Sequence, residues 1–394
     1  MEILGSVAEP SIDVVLATSW TYPHVGGVST HMTLLSRALG LNERDVIGFE
    51  NIIREPEGLW RRGRTFAASR IRREKISIHA DRMVKVLHGV TCDVLHCHDA
   101  IATWAAGIAR ERFDLKFKIV STVHGPVSRH MVEHGSRPNS PEVLAVIMRE
   151  HEAWRYSDQI IAVDKTQRAI CIDQMADPGK ISVIPNAVDL DEIDRAMRAL
   201  RLTTDDQTDW LLVPRRLAPK NGVLNAIEAM RMLPPRIKLW LAGDGIEEGL
   251  CRERIRSLSL ESRVWMLGGV PRDVVIMLST AARATLIPSV PSNGIVEATS
   301  IAGIEAMACR VPLIASAIGG LLELIEDRKS GLLVPPGEPE MLAKAITRLF
   351  TGEIDVGQMT ENARLRVEML YSLPVWITAI KQVYVRAMEA STRP

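Results

Sequence analysis

The chain has 394 residues, too many for one small core, so its length predicts two or three domains. Lys plus Arg and Asp plus Glu each number 48, and the resulting zero net charge argues against binding nucleic acid through overall charge. The five cysteines suggest no disulfide framework, and neither a signal peptide nor an apolar run of about 18 residues is evident. We therefore expect a cytoplasmic protein with reduced thiols.

Short β-branched apolar runs alternate with helical patterns along the chain. The predicted strands are 14–18, 45–49, 93–97, 118–123, 159–163 and 181–185 in the first half, and 210–214, 237–243, 263–267, 284–288, 312–316 and 331–335 in the second. Strands that are apolar on both faces and separated by helices indicate parallel sheets covered on both sides. Two such series predict an α/β protein of two doubly wound, Rossmann-like domains that face a central cleft.

The stretch LRLTTDDQTD at 200–209 has turn-forming residues and no strand pattern, which predicts a linker. We therefore predict an N-terminal domain over 1–203 and a C-terminal domain over 204–373. The final segment, 374–394, predicts one helix that begins near Pro374. Its apolar face is formed by residues at helical spacing, namely Trp376, Ile380, Val383 and Ala387.

Two glycines lie in the sequence GGVSTH, which follows the first strand. Gly26 and Gly27 permit close approach to the backbone, and a helix that begins near Ser29 adds free N–H groups. The loop is a candidate phosphate site, and a plain tight turn is the alternative.

A basic segment, LWRRGRTFAASRIRREK at 59–75, has seven Arg or Lys residues and one Glu in a chain that is neutral overall. Such a segment favours contact with an anionic membrane surface or with an anionic acceptor. A solvated helix face is the alternative.

The sequence HCHD ends the third strand. His96 and His98 share a face of that strand while Cys97 points away, and no second pair has metal-ligand spacing, so we predict no metal site. Asp99 is predicted to cap the following helix.

His124 ends the fourth strand, where it can donate a hydrogen bond to a sugar hydroxyl or a phosphate in the cleft. A satisfied core histidine is the alternative.

A basic pair lies in the sequence RRLAPKNGV, between a strand and a helix. Arg216 and Lys220 are predicted to point at a diphosphate, the arginine as a fork and the lysine as a point charge. A surface turn with solvated charges is the alternative.

The glycines of LAGDGIEEG suggest a dinucleotide-binding turn. Gly243, Gly245 and Gly249 follow a strand, but the last spacing is one residue too long, and the next strand ends in glycines rather than an acid. A nicotinamide enzyme is therefore disfavoured.

Two glutamates lie eight residues apart in EATSIAGIEAMACRVPLIAS. Glu297 is predicted in the loop after a strand and Glu305 within a helix that begins near Thr299 or Ser300. The free amides around Thr299, Ser300 and Ile301 suit a phosphate, and a carboxylate can accept hydrogen bonds from vicinal hydroxyls. Chance spacing with a solvated helix face is the alternative.

Taken together, these motifs resemble the retaining glycosyltransferases of family 4, which have the GT-B fold and include glycogen-synthase-like and phosphatidylinositol-mannosyltransferase-like enzymes. The family pattern of a glutamate, seven residues and a second glutamate is E-ATSIAGI-E here. The other matching pieces occur in the family's order, namely GGVSTH, HCHD, STVHG, IPNAVD, RRLAPKNGV, LAGDG and GGLLELIEDRKSGLLVPPGEPEML.

The resemblance implies a role for each motif. Glu297 and His124 would contact the donor sugar and Glu305 the ribose, while Gly26 and Gly27 would cover the donor phosphates or the acceptor. The turn with Gly243 and Gly245 would line the nucleotide pocket, and the backbone at Gly269 and Val270 would meet the base. The resemblance also implies that the final helix returns to the first domain.

The resemblance implies that a basic pair stabilises the departing diphosphate. Arg216 and Lys220 are four residues apart, whereas many relatives have a separation of five, which Arg215 and Lys220 show. Which arginine acts therefore stays open.

The expected activity is retaining transfer from a nucleotide-diphosphate sugar to a hydroxyl of a glycan, a lipid-linked or a small-molecule acceptor. The resemblance implies a front-face reaction that needs no cofactor and no metal ion. A nucleotide-sugar epimerase of the same fold and a non-catalytic nucleotide-sugar-binding subunit are the rivals. The presence of Glu297, Glu305, Arg216 and Lys220 together argues against the second rival.

Overall fold

The computed structural model describes residues 12–23, 26–48, 76–133, 135–199 and 209–390. The basic segment 59–75, for which membrane contact is predicted, lies outside these residues, as does nearly all of the predicted linker.

Two six-stranded parallel sheets form the framework, and each strand overlaps a predicted apolar run. The strands are β1 (Val14–Ala17), β2 (Val46–Ile47), β3 (Val94–Cys97), β4 (Lys118–Val123), β5 (Gln159–Ala162), β6 (Ile181–Val183), β7 (Asp209–Val213), β8 (Ile237–Ala242), β9 (Val264–Gly268), β10 (Ala284–Ile287), β11 (Leu313–Ser316) and β12 (Leu332–Val334). The first sheet has the order β2-β1-β3-β4-β5-β6 and the second β12-β11-β10-β7-β8-β9. The predicted pair of doubly wound sheets is confirmed.

Helices cover both sheets. In chain order they are α1 (Gly27–Leu39), α2 (Ile76–Leu87), α3 (Ala100–Phe113), α4 (Val127–Glu133), α5 (Pro141–Tyr156), α6 (Lys165–Asp173), α7 (Leu190–Ala199), α8 (Val223–Met230), α9 (Glu248–Ser257), α10 (Arg272–Ala281), α11 (Ile301–Ala308), α12 (Leu321–Leu324), α13 (Pro339–Phe350), α14 (Val356–Leu370) and α15 (Leu373–Glu389).

Local sequence explains where several of these elements begin. The carboxylate of Asp99 accepts a hydrogen bond from the Ala102 amide at 2.8 Å and caps α3, as predicted. Ser140 and Asp164 cap α5 and α6 in the same way. Every residue of β1, β3, β10 and β11 is buried, which is why these strands read as continuous apolar runs.

The last helix packs on the N-terminal lobe. The predicted apolar face of α15 is buried, and its Trp376, Ile380 and Val383 pack with Val14 and Leu16 of β1. The chain therefore returns to the first lobe, where α15 completes the core beside the first sheet.

The chain crosses between the lobes before the predicted boundary at 203. Ile193 of α7 packs in the core of the second lobe together with Val188, so 188–199 belongs there. The reason is that α7 is amphipathic, with its one buried residue facing that core, whereas the polar stretch after it only continues to β7. The outgoing and returning crossings lie side by side, since the Val188 amide donates to Tyr371 O at 2.9 Å and the Leu373 amide donates to Val188 O at 3.0 Å.

Candidate active site

A cleft of about 600 Å³ lies between the lobes, at the carboxyl ends of the strands of both sheets. All but one of the predicted site residues line it. These are Gly26, Gly27, His124, Arg215, Arg216, Lys220, Gly243, Gly269, Val270, Glu297, Thr299, Ser300, Ile301 and Glu305. Ligands of open parallel sheets bind at this edge, so the structure brings the motifs together where a ligand is expected.

Gly245 is the exception. A Cβ atom at this position would lie 2.2 Å from the carbonyl oxygen of Leu217, and the backbone has φ +155°. A glycine is needed there because two loops cross closely, and the donor contact of Gly245 stays a prediction. Gly243 has a similar constraint, since its Cβ would lie 2.1 Å from Arg215 O.

Glu297 lies at the centre of the cleft in a paired, buried carboxylate site. Arg215 donates from Nη1 to Oε1 at 2.9 Å and from Nη2 to Oε2 at 2.5 Å, and Ser289 donates to Oε2 at 3.2 Å. Burial on its own raises the pKa of Glu297, but Arg215, with help from Lys220 and Ser289, outweighs it and lowers that pKa. The carboxylate is therefore ionised at neutral pH.

The structure places Arg215 rather than Arg216 against the glutamate. The Arg215 side chain is 10% exposed and also bonds the side chain of Asn221, whereas Arg216 is exposed at the rim of the cleft. Asn221 donates to Arg216 O at 2.7 Å and so fixes this turn. The arginine that has the family's separation from Lys220 is thus the one that reaches Glu297.

Helix α11 begins at the predicted place. Ser300 is its N-cap and accepts a hydrogen bond from the Gly303 amide at 3.3 Å. Ser300 also accepts from Nη1 of Arg215 at 3.2 Å, which ties the helix start to the arginine. The helix N-terminus and a buried cation therefore face the same part of the cleft.

Glu305 has a partner that the sequence motifs did not suggest. Arg272, at the start of α10, donates from Nε to Oε1 of Glu305 at 2.5 Å and also pairs with Glu192 at 2.9 Å. Burial raises the pKa of Glu305, and Arg272 opposes that rise without cancelling it. Arg272 lines the cleft, and only its position after GGVP would have hinted at this role.

Thr299 connects the two lobes. Its hydroxyl donates to Val163 O at 2.6 Å, and its carbonyl accepts from Nδ2 of Asn186 at 2.8 Å. The Thr299 side chain thus makes a contact between the lobes. Of this residue, the backbone is the part for which donor binding stays a prediction. Asn186 belongs to the IPNAVD motif, but nothing in its local sequence indicates this bridge.

Two glycines, Gly319 and Gly320, shape the Glu297 loop. The sequence motif contains both but does not indicate this role. A Cβ on Gly319 would lie 2.0 Å from Glu297 O, and one on Gly320 would lie 2.5 Å from the Thr299 amide nitrogen. The Gly320 amide donates to Glu297 O at 2.9 Å. This turn holds the loop that carries the glutamate, and only glycine fits so close to it.

The histidines of the first lobe differ in their partners. Both ring nitrogens of His96 are bonded, to Tyr384 and Thr122, each at 2.7 Å, so His96 is a satisfied core histidine. His124 is half-buried and lines the cleft, and no described residue bonds its buried Nε2. Burial, followed by the nearby His31, lowers the pKa of His124 well below its usual value, so the ring is neutral.

Family models match both halves of the chain. Residues 25–192 match Glycosyltransferase Family 4, and residues 200–366 match Glycosyl transferases group 1. With the two facing sheets and the glutamate-lined cleft, the chain belongs to the glycosyltransferases and has the GT-B fold.

Three relatives illustrate the match. The chain is 28% identical to the amylovoran biosynthesis glycosyltransferase AmsK of Erwinia amylovora, over 70% of this chain and 66% of AmsK. It is 26% identical to the glycogen synthase of Mycobacterium tuberculosis, over 96% of each chain. The crystal structure of Anabaena Alr3699/HepE in complex with UDP has a TM-score of 0.72 at 18% identity, covering 95% of this chain and 100% of that one.

Proposed function

We propose that the protein is a retaining glycosyltransferase that moves a sugar from a nucleotide-diphosphate donor to a hydroxyl of a glycan, a lipid-linked or a small-molecule acceptor. The buried, ionised carboxylate of Glu297 beside the start of α11 carries the proposal. A nucleotide donor is supported by HepE, which has been crystallised with UDP and with UDP-glucose.

The donor would lie along the loop and helix that carry the two glutamates. Glu297 accepts hydrogen bonds from the sugar hydroxyls, and Glu305 accepts them from the ribose. The first amides of α11, with Arg215 and Lys220, stabilise the diphosphate as negative charge grows on it. The backbone of Gly269 and Val270 meets the base, and His124 approaches the sugar from the first lobe.

A front-face reaction is the mechanism that we favour. Asp99 lines the cleft, but its oxygens accept hydrogen bonds from Thr18, Ser19 and Ala102, so it acts as a cap and is poorly placed to attack a sugar. Glu297 is held by Arg215 in the same way. The leaving phosphate oxygen would then help to take the acceptor's proton, with retention of the anomeric configuration.

We further propose that transfer needs no metal ion. Arg215, Lys220 and the helix N-terminus supply the positive charge that a metal would otherwise bring to the diphosphate. Metal-free enzyme should then be active without added Mg²⁺ or Mn²⁺, and transfer that requires either ion would contradict this proposal.

Nucleotide binding is the first test. Thermal-shift measurements with UDP, GDP, ADP and TDP should show one preferred nucleotide, since a ligand at 100 times its Kd adds about 2.7 kcal/mol of stability. Glu305→Gln should weaken that shift, while Arg252→Gln in an exposed ion pair should not. A chain that binds none of the nucleotides would refute the proposal.

Product analysis separates transfer from the rival activities. With the preferred donor and a panel of glycan and lipid-linked acceptors, mass spectrometry should detect an acceptor heavier by one sugar, and NMR should show that the donor's anomeric configuration is kept. Epimerised sugar formed without acceptor would indicate an epimerase instead. Tight donor binding without any turnover would indicate a non-catalytic subunit.

We also propose peripheral contact with an anionic membrane through residues 59–75. The support is the seven basic residues of that segment. Among the described residues, no helix is long and apolar enough to cross a bilayer. Sedimentation with anionic vesicles should show binding that salt weakens, and equal sedimentation with neutral vesicles would contradict the proposal.

A further inference from the structure

Three imidazoles from separate parts of the first lobe lie close together, and two of them, His98 and His124, line the cleft. His31 comes from α1, His98 follows β3 and His124 follows β4. The centroid of the His31 ring lies 5.3 Å from that of the His98 ring and 4.6 Å from that of the His124 ring. One nitrogen from each ring can be chosen so that all three lie within 4.8 Å of one another.

The nitrogens that face each other are buried and lack hydrogen-bond partners within the described residues. They are Nε2 of His31, both ring nitrogens of His98 and Nε2 of His124. Leaving buried polar atoms unbonded costs free energy, and native proteins rarely accept several together. The nearby His96 shows the usual solution, with both nitrogens bonded to hydroxyls. The described residues therefore leave these ring nitrogens without the partners that buried polar atoms usually have.

The hydrogen bonds of Asn186 indicate which nitrogen of His31 is free to accept. Nδ2 of Asn186 donates to Thr299 O at 2.8 Å, so its Oδ1 is the atom that faces Nδ1 of His31 at 2.9 Å. Nδ1 of His31 must then carry the proton and donate it, which leaves a lone pair on Nε2 directed into the cluster. A ligating histidine held by a hydrogen bond from its other nitrogen is the usual arrangement in metal sites.

We propose that His31, His98 and His124 bind one divalent transition-metal ion of borderline softness, such as Zn²⁺. Three imidazoles with an open fourth position are a known donor set for zinc. Imidazole nitrogens without a carboxylate or water-rich shell select against Mg²⁺ and Ca²⁺.

The burial of the cluster favours an ion over a sugar as the occupant. His31 and His98 are 2% and 1% exposed, too little for a pyranose ring to reach their nitrogens, while His124 remains open to the cleft and gives an entry path. Zinc–nitrogen bonds of about 2.0–2.1 Å place tetrahedral ligand atoms about 3.3 Å apart. The ligand nitrogens, now within 4.8 Å of one another, need to draw together by up to about 1.5 Å.

The bound ion has a predicted consequence for the proposed transfer. Coordination takes up Nε2 of His124, the histidine that is proposed to approach the donor sugar, and draws its ring toward the cluster. We therefore expect Zn²⁺ to inhibit transfer and EDTA to relieve the inhibition. This consequence rests on the proposed function, whereas the metal site itself does not.

The test measures binding directly. Untagged, metal-free protein is titrated with Co²⁺ and followed by its visible d–d absorption, and Zn²⁺ affinity is measured by calorimetry. The wild type should bind one ion, and His98→Gln should weaken binding by at least about 100-fold, since losing a group that merely orients a ligand already costs about 10- to 100-fold. His88→Gln, at an exposed histidine outside the cluster, is the matched control and should bind as the wild type does.

X-ray absorption on the zinc-loaded wild type identifies the atoms that coordinate the ion. Because it needs no variant, it tests the site even if H98Q fails to fold. A shell with three histidine nitrogens supports the site. A shell of carboxylates or thiolates, or equal affinity of H98Q and wild type, would overturn the proposal. Absence of transfer activity with intact cobalt bands would count against the proposed function alone.

Discussion

Replacing Arg215 with methionine tests the electrostatics of the cleft. The Arg215 and Glu297 side chains are 10% and 8% exposed and are joined by bonds of 2.9 and 2.5 Å. Methionine keeps much of the apolar stem and removes the charge, which leaves a carboxylate buried without its main partner. Breaking a buried pair in this way costs about 3–5 kcal/mol, and we expect a loss of that size in unfolding free energy at neutral pH.

The pH dependence of stability should change sign in R215M. In the wild type the lowered pKa of Glu297 stabilises the fold above the unfolded pKa, and that contribution is lost as pH falls through the folded pKa. Without Arg215, burial dominates and raises the folded pKa above the unfolded one. The ionised group then destabilises the fold at neutral pH, and stability recovers as pH falls through the raised pKa.

Denaturant unfolding of the wild type and the variant over a pH series measures both effects. The double variant R215M/E297Q should recover much of the loss, because the uncompensated charge is gone. Arg252→Met is the control, since Arg252 and Glu248 form an exposed pair, 54% and 47% exposed, of the kind that contributes about 0–1 kcal/mol. A loss no larger than that of R252M, or a pH slope like the wild type's, would refute the reasoning.

Two further predictions concern the supports of the glutamates. Arg272→Gln removes the cation that opposes the rise in the pKa of Glu305. Calorimetry should find the nucleotide affinity of this variant lower by about tenfold, as for one lost charge-assisted hydrogen bond of about 1.5 kcal/mol, and the loss should be greater at acidic than at alkaline pH. Equal affinities of variant and wild type at all pH values would count against this role. Gly319→Ala places a Cβ 2.0 Å from Glu297 O and should abolish most transfer, whereas Gly352→Ala, at a similar positive φ but with nothing within 4 Å, should cost only stability. Equal transfer rates in the two glycine variants would show that crowding of the Glu297 loop is unimportant.

The strands were predictable because most are buried on both faces and are bounded by turn-forming residues. Asp99 and Ser300 were predictable as caps because an N-cap side chain acts on amides only a few residues away. The place where the chain crosses between the lobes was less accessible from the sequence than the predicted boundary at 203. A polar stretch marks where strands stop, but α7 belongs to the second lobe through contacts of Ile193 that no local pattern reveals.

The site was predictable to the level of motifs. Parallel sheets gather the loops at their carboxyl ends, so residues such as Glu297 and His124 were expected in one cleft before any contact was known. The hydrogen-bond partners of these residues within the cleft could not be predicted from the sequence. Arg272 is 33 residues from Glu305, and nothing in its neighbourhood indicates that its guanidinium reaches that carboxylate.

The sequence by itself determined the two sheets, the helix starts and the set of polar residues at the strand ends, because those depend on periodicity and on capping within a few residues. Tertiary structure alone decided that Arg215 rather than Arg216 grips Glu297, and that His31, His98 and His124 share one pocket. Those pairings depend on how two lobes and several loops pack together. The spacing of residues along the sequence does not indicate which side chains meet when the residues are far apart in the chain.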